Sequence, residues 1–197
     1  MKPEQIALVL IDIQKDFWEP MSGDQTFKAF PENVARLLSL SREKGYNIIH
    51  IRSVFKPDRS DWMLFYRPDG RGQIPCIAGT KGTEFTEFAA PMDGEKVMEK
   101  QTFDSFIGTD LEEHLQSHGI KAVLIAGLET SVCVLFTANS AYQRKYLPLV
   151  VSDACADTGT RHENALEMYV NLSFKTITTS RLIEDIQSIN ELIKDFV

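Results

Sequence analysis

Short, continuous apolar runs alternate with longer amphipathic stretches along this chain. The run at 6–13 (IALVLIDI) has no polar position before Asp12, which is typical of a strand buried on both faces of a sheet. The stretch at 31–44 instead repeats its apolar positions at helical spacing, and Gly45 follows it as a helix-terminating residue. Strand and helix patterns in alternation predict βαβ units and a mainly parallel sheet.

The alternation continues to the end of the chain. It predicts about six strands, at 6–13, 47–55, 96–100, 121–127, 147–154 and 175–180. It predicts helices at 31–44, 109–118, 132–145, 161–172 and 182–197. Because parallel strands are joined by right-handed crossovers, this order predicts an α/β protein, a three-layer sandwich around a Rossmann-like sheet.

The segment 56–91 interrupts this pattern and is rich in Gly, Pro, Asp and Arg. A connection of this length in a compact domain is usually functional or disordered. We interpret 56–91 as a lid or insertion loop within a single domain spanning 1–197. Its first part, 56–78, carries aromatic and basic side chains that suit either a substrate lid or a subunit contact: Arg59, Trp62, Tyr66, Arg67 and Arg71.

Composition narrows the functional classes. The chain has 197 residues, with 43% hydrophobic and 25% charged residues, as in ordinary globular domains. A formal charge of −7 argues against nucleic-acid phosphates and anionic membranes as partners. The first apolar run is too short for a signal peptide or a membrane span. Three cysteines without C-x-x-C spacing indicate free thiols, so we expect a cytoplasmic protein.

Three reactive side chains follow predicted strands. Asp12 comes near the end of the first strand, Lys100 ends the third, and Cys133 lies just beyond the fourth. The carboxyl ends of parallel strands meet at one edge of a sheet, so these groups are expected to converge there.

Cys133 has the environment that a nucleophilic thiol needs. It follows a turn and opens a predicted helix, where N–H groups and the helix dipole favour a thiolate and an oxyanion. A neighbouring Lys100 ammonium is expected to lower the pKa of the thiol further, and Asp12 to accept its proton. The alternative is structural: Cys133 as a small core residue, Asp12 as a cap and Lys100 as a surface residue.

Four stretches of the chain resemble a known superfamily. They are ALVLIDIQKDFW (7–18), KQTFDSFIGTDLEEHL (100–115), GLETSVCVLFTANSAYQRKY (127–146) and VVSDACADT (150–158). Together they resemble the isochorismatase-like cysteine hydrolases, which include nicotinamidases, N-carbamoylsarcosine amidase and ureidoacrylate amidohydrolases. The resemblance implies a Rossmann-like fold, homo-oligomers, and Asp12, Lys100 and Cys133 as the catalytic residues.

The resemblance also implies a cis peptide bond at Leu128–Glu129, which would aim the N–H groups of Glu129 and Cys133 at an oxyanion. Nicotinamidases of this superfamily hold a metal through an Asp-x-His motif that HIRSVFKPD (50–58) lacks. We therefore expect no metal or other cofactor and a substrate other than nicotinamide. The retained cysteine favours hydrolysis of a C–N bond in a small carboxamide or ureide, through a thioester.

Aromatic residues near the three motifs are candidates for the substrate pocket. They are Phe17, Trp18, Trp62, Phe103 and Phe106. Four of them are equally suited to the core, whereas Trp62, in the insertion, also suits an aromatic anchor of a solvated loop or a subunit contact. Two other functions stay open for the chain: a thiol redox or sensing protein that uses Cys133, and a catalytically silent binding member of the same fold.

Overall fold

The computed structural model describes residues 2–66 and 74–184. Its six strands are β1 (Ile6–Ile11), β2 (Asn47–Ser53), β3 (Lys96–Lys100), β4 (Ala122–Leu128), β5 (Leu147–Ala156) and β6 (Lys175–Ile177). Its α-helices are α1 (Lys15–Trp18), α2 (Phe30–Lys44), α3 (Leu111–Ser117), α4 (Leu135–Gln143), α5 (Arg161–Tyr169) and α6 (Thr179–Glu184).

The strands form one sheet in the order β3-β2-β1-β4-β5-β6, and every neighbouring pair is parallel. The predicted fold class and strand count are confirmed. From β1 the chain adds β2 and then β3 on one side of the sheet, and it then returns to add β4 on the other side of β1. The direction in which strands are added therefore reverses between β1 and β4. The carboxyl ends of β1 and β4 therefore flank the switch point where ligands bind in open α/β sheets.

Strand β1 is buried on both faces, as its unbroken apolar run predicts. Leu8 and Leu10 join the core cluster that also includes the apolar face of α2. Val9 and Ile11 point to the opposite face and join the cluster that includes apolar residues of α3 and α4. The helices thus cover both faces of the sheet, which gives the three-layer sandwich.

Several helices differ from the predicted ones: α1 was not predicted, α5 ends earlier than 172, and α6 begins within the stretch 175–180 that was predicted as a strand. The helix expected over 132–145 begins as a π-helical turn, Thr130–Val134, and only then continues as α4. The helix expected over 182–197 is described only within α6, and 185–197 lie outside the described residues. Within 2–66 and 74–184, no helix combines the length and apolar character needed to cross a membrane.

Gly127 allows β4 to pass close to the end of β1. Its φ is +130°, and a Cβ built on it would lie 2.0 Å from the carbonyl oxygen of Ile11. Because both the backbone conformation and the lack of space exclude a side chain, we expect Gly127→Ala to lower the free energy of unfolding by roughly 2 kcal/mol or more.

Chemical denaturation measures this effect. Gly23→Ala is the matched control, because its φ is not in the left-handed region and nothing lies within 4 Å of the added Cβ. Equal midpoints for the two variants would show that the close approach of β4 to β1 has no energetic consequence.

Candidate active site

Asp12, Lys100 and Cys133 converge at the carboxyl edge of the sheet. Lys100 donates from Nζ to Asp12 Oδ2 at 2.7 Å and lies 3.4 Å from Cys133 Sγ. The side chains of Lys100 and Asp12 are 0% and 1% exposed, so their ion pair is closed off from solvent. An ion pair buried this deeply is stable only if hydrogen bonds satisfy the remaining atoms of both groups.

Ser53 supplies some of these hydrogen bonds. Lys100 is on β3, two strands away from β1, and Ser53 ends β2 between them. The Ser53 hydroxyl accepts from Lys100 Nζ at 3.1 Å and donates to Asp12 Oδ1 at 3.0 Å. The Thr102 carbonyl accepts from Lys100 at 2.9 Å. Three oxygens thus take the three N–H groups of the ammonium, and the sulfur is its most distant neighbour.

The backbone at Asp12 turns out of the sheet immediately after β1. Asp12 has a left-handed φ of 52°, a conformation that Asp and Asn tolerate better than most residues. Gln14 then fixes the end of β2: it accepts from the N–H of Ser53 at 2.7 Å and donates to the Ser53 carbonyl at 2.9 Å. The segment that follows β1 therefore holds two partners of Lys100, Asp12 through its own backbone and Ser53 through the Gln14 side chain.

The turn carrying Cys133 is held from two sides. The peptide bond Leu128–Glu129 is cis, as the resemblance implies. The buried Asp157 carboxylate accepts from the N–H groups of Ser131 and Thr158, both at 2.7 Å. A ring nitrogen of His162 lies 2.8 Å from the Thr130 hydroxyl. The segment after β5 therefore positions the turn that presents the thiol.

Lys100 lowers the pKa of the Cys133 thiol, as expected, but the net shift is upward. Burial raises the pKa of Cys133, and the charge of Asp12 raises it further, although Lys100 opposes both. Burial alone would lower the pKa of Lys100, but the neighbouring Asp12 and Cys133 outweigh burial and raise it. Burial and the Asp12 charge thus favour the neutral thiol of Cys133 over its thiolate, so attack by the sulfur calls for a base beside it.

This balance predicts opposite effects of two substitutions on thiol reactivity. Asp12→Asn removes the charge that raises the pKa of Cys133, so its alkylation by iodoacetamide at pH 8 should become roughly tenfold faster, the change that one pKa unit produces. Lys100→Met removes the charge that lowers this pKa and should slow alkylation. Peptide mass spectrometry over time measures both rates, with buried Cys155 as the internal control. Slower alkylation in Asp12→Asn would contradict this electrostatic account.

Cys133 opens onto a cavity of about 580 Å³, although only 7% of the residue is exposed. Sulfur-bearing and aromatic side chains dominate the wall, among them Phe17, Met63, Phe65, Tyr66, Phe103 and Phe136. A volume of this size suits a small molecule. The described part of the 56–91 insertion contributes three of these residues, so it forms one wall of the cavity.

The aromatic pocket candidates divide into two groups. Phe17 and Phe103 line the cavity. Trp18 does not, because it stacks on Phe30 at 4.7 Å in the core below α2. Trp62 packs with Phe55 in a separate cluster and donates its indole N–H to a backbone carbonyl.

Phe106 is also absent from the cavity wall. Its ring packs on Tyr146 at 6.2 Å and under the guanidinium of Arg144 at 4.7 Å. An aromatic residue next to a motif thus marks either the pocket or the core, and the sequence does not separate the two. Arg67 and Arg71, the other basic candidates of the insertion, lie outside the described residues.

Sequence reasoning missed four residues at this site. Ser53 ends a predicted strand, and Thr158 and Arg161 lie on the cavity wall beyond the end of β5. Asp157 has the clearest signal: it belongs to VVSDACADT and follows a strand, as Asp12 does. Across 2–66 and 74–184, no group of three or more His, Cys, Asp or Glu side chains is arranged to hold a metal ion.

A model of a known protein family matches most of this chain. The isochorismatase domain model matches residues 6–181, which include all six strands and the three converging side chains. A solved structure of an isochorismatase family protein from Desulfovibrio vulgaris superposes with a TM-score of 0.82 at 26% identity, covering 93% of this chain and 98% of that chain.

Relatives of known sequence span almost the whole chain. The uncharacterized isochorismatase family protein YrdC of Bacillus subtilis is 31% identical, covering 98% of this chain and 97% of that protein. An Arabidopsis thaliana protein named "Probable inactive nicotinamidase" is 31% identical and covers 91% of this chain and 95% of its own. The maleamate amidohydrolase of Pseudomonas putida is 29% identical, covering 82% of this chain and 75% of that enzyme.

Proposed function

This chain belongs to the isochorismatase family, and from that premise we propose that it is a cysteine-dependent hydrolase that cleaves a C–N bond of a small carboxamide or ureide. The proposal assigns Cys133 as the nucleophile, Asp12 as the general base and Lys100 as the cation that holds both. One observation carries it: the Cys133 thiol lines a small-molecule cavity with the Lys100 ammonium 3.4 Å from its sulfur.

In the first half-reaction the sulfur of Cys133 attacks the carbonyl carbon of the substrate. The thiol proton passes to the Asp12 carboxylate, and the carbonyl oxygen takes the negative charge. The N–H groups of Glu129 and Cys133 donate to this oxyanion. As the C–N bond breaks, Asp12 gives the proton to the departing nitrogen, which leaves ammonia and a thioester on Cys133.

In the second half-reaction water attacks the thioester carbonyl. Asp12 takes one proton from the water, the C–S bond breaks, and the proton returns to the sulfur. The products are a carboxylic or carbamic acid and the free thiol, so the site is restored without an oxidant, a reductant or a metal. Lys100 keeps the carboxylate oriented in both halves, because its ammonium stays within 2.7 Å of Asp12 Oδ2 in the resting site.

Two findings support C–N bond chemistry. The raised pKa of Cys133 makes a base beside the thiol necessary, and the carboxylate of Asp12 meets that need through its shared contact with Lys100. The relative named maleamate amidohydrolase is similar to this chain over 166 residues.

A panel of small carboxamides and ureides tests the proposal. The purified protein should release ammonia from at least one member, and intact-mass spectrometry of rapidly quenched samples should detect an acyl group on Cys133. Ammonia release without a Cys133 adduct, and with full activity after alkylation of Cys133, would refute the thioester route.

A catalytically silent protein is the second candidate, because a relative with 31% identity carries the name of an inactive nicotinamidase. Binding of panel compounds without ammonia release would favour it. A thiol sensor has less support, since the raised pKa of Cys133 disfavours the thiolate that peroxide oxidises. The cytoplasmic location and the homo-oligomeric state expected above stay predictions, and light scattering of the purified protein measures the second.

A further inference from the structure

The insertion 56–91 brings a hydroxyl group to the wall of the cavity at Cys133. Tyr66 lines this cavity together with Cys133. The other insertion residues that the structure describes on this wall, Met63, Phe65 and Pro75, are apolar. A polar group on an apolar wall costs free energy unless it finds a hydrogen-bond partner, so the partner of the Tyr66 hydroxyl indicates what this wall is built to bind.

The ring of Tyr66 is packed against the end of β2. Its centroid lies 5.3 Å from that of Phe55 in an edge-to-face contact, and Phe55 is 1% exposed. The N–H of Phe55 donates to the carbonyl of Cys76 at 2.9 Å, which fixes the backbone under the ring. Phe55 follows Ser53, the last residue of β2 and a partner of Lys100, by two positions. Tyr66 is therefore held next to the strand end that helps to satisfy the buried ion pair.

The hydroxyl of Tyr66 has no hydrogen-bond partner within 2–66 and 74–184. It still interacts electrostatically with the reacting groups. Burial raises the pKa of Tyr66, and the acidic groups of Cys133, Asp12 and Glu129 raise it further, so the phenol stays neutral. Because the hydroxyl interacts with Cys133 and Asp12 at a distance but bonds to neither, the space between them is open to a substrate group.

A nitrogen that carries N–H groups fits this space. In the proposed reaction the departing nitrogen must lie beside Asp12, because this carboxylate returns the proton to it. The oxygen of a neutral phenol can accept an N–H. Acidic groups on the other side favour a nitrogen that becomes positively charged as it is protonated. The carbonyl oxygen, in contrast, already has the N–H groups of Glu129 and Cys133 as donors in that reaction.

We propose that the hydroxyl oxygen of Tyr66 accepts a hydrogen bond from the departing nitrogen and so directs the lone pair of that nitrogen towards Asp12. When Asp12 protonates the nitrogen, the C–N bond breaks and ammonia leaves, while Tyr66 keeps its own proton. The preferred substrate is then a primary carboxamide or a ureide with an unsubstituted amino end, because its nitrogen has N–H groups to offer. This role rests on the proposed hydrolase function.

Tyr66→Phe tests this role, because it removes the acceptor and keeps the ring. Each panel compound that releases ammonia is paired with the S-methyl thioester of the same acyl group. Benzamide and S-methyl thiobenzoate form the first pair, since the wall is rich in aromatic residues. Both compounds place the same acyl group on Cys133, but only the amide has a departing nitrogen. Tyr66→Phe should lower kcat/KM for the amide roughly tenfold, as expected for one lost hydrogen bond, and leave kcat/KM for the thioester nearly unchanged.

Two comparisons separate this role from a structural one. Turnover of the thioester shows that the Tyr66→Phe protein is folded and that its Cys133 is reactive. Tyr169→Phe makes the same change at the end of α5, away from the cavity wall, and should leave both rates unchanged. Equal losses for amide and thioester in Tyr66→Phe would mean that Tyr66 acts on the carbonyl oxygen or on the shape of the cavity, and they overturn the proposal.

Failure of the hydrolase function gives a different result from failure of this role. If the unsubstituted protein releases ammonia from no panel compound while the thioesters acylate Cys133, both proposals are overturned, because Tyr66 then has no departing nitrogen to orient. If ammonia is released and the ratio of amide to thioester kcat/KM is the same in Tyr66→Phe, the role of Tyr66 alone is overturned and the hydrolase function stands.

Discussion

Cys133→Ala will lower ammonia release from an accepted carboxamide by roughly 10³-fold or more, because losing a covalent nucleophile removes the whole route through the thioester. The substitution removes one sulfur atom from a cavity wall and leaves the Lys100–Asp12 ion pair intact. We therefore expect substrate binding to persist while kcat falls. Steady-state kinetics with a calorimetric affinity for the same compound measure the two quantities separately.

Cys155→Ala is the matched control for this experiment. Cys155 is also a buried thiol, 2% exposed, and burial raises its pKa to about 12. It lies in β5 and does not line the cavity with Cys133. Cys155→Ala should retain activity. Comparable losses in the two variants would mean that cavity formation in the core, rather than loss of the nucleophile, inactivates the protein.

Lys100→Met will both destabilise and inactivate the protein. It leaves the Asp12 carboxylate buried, 1% exposed, without its cation. Breaking a buried pair from one side typically costs about 3–5 kcal/mol, which for a chain of this length corresponds to a Tm lower by roughly 6–20 °C. Activity should fall at least roughly 10²-fold, since the base loses the group that orients it.

A double substitution separates the two effects of Lys100→Met. Asp12→Asn with Lys100→Met removes both charges, and asparagine tolerates the left-handed backbone that Asp12 adopts. We expect this variant to recover much of the lost Tm and none of the activity. Thermal unfolding and ammonia release provide the two measurements. A double variant less stable than Lys100→Met would show that the pair is not the source of the destabilisation.

Much of the fold was predictable because hydrophobic patterning is local. The unbroken run at 6–11 alternates its side chains between two core clusters, so an apolar residue was required at every position. Helix boundaries were less well predicted. The π-helical turn Thr130–Val134 interrupts the pattern expected of an α-helix, and its backbone is fixed by distant groups such as Asp157.

The candidate site, too, was only partly predictable from the sequence. Asp12 and Lys100 were identifiable, because a charged residue that ends a buried strand of a parallel sheet must lie at its carboxyl edge. Ser53 was not identifiable, because a serine at a strand end is common, and its role depends on β2 lying between β3 and β1. Trp18 and Phe17 are adjacent in sequence, but only Phe17 lines the cavity.

By itself, the sequence determined the alternation of strands and helices, the parallel sheet and the edge at which the reactive groups gather. These properties follow from the periodicity of apolar residues and from chain connectivity. The tertiary structure alone decided the order of the strands, the upward shift of the Cys133 pKa and the placement of Arg161 on the cavity wall. Burial, electrostatic interaction and the pairing of charges depend on distances between groups that are far apart in the chain, and only the folded molecule sets those distances.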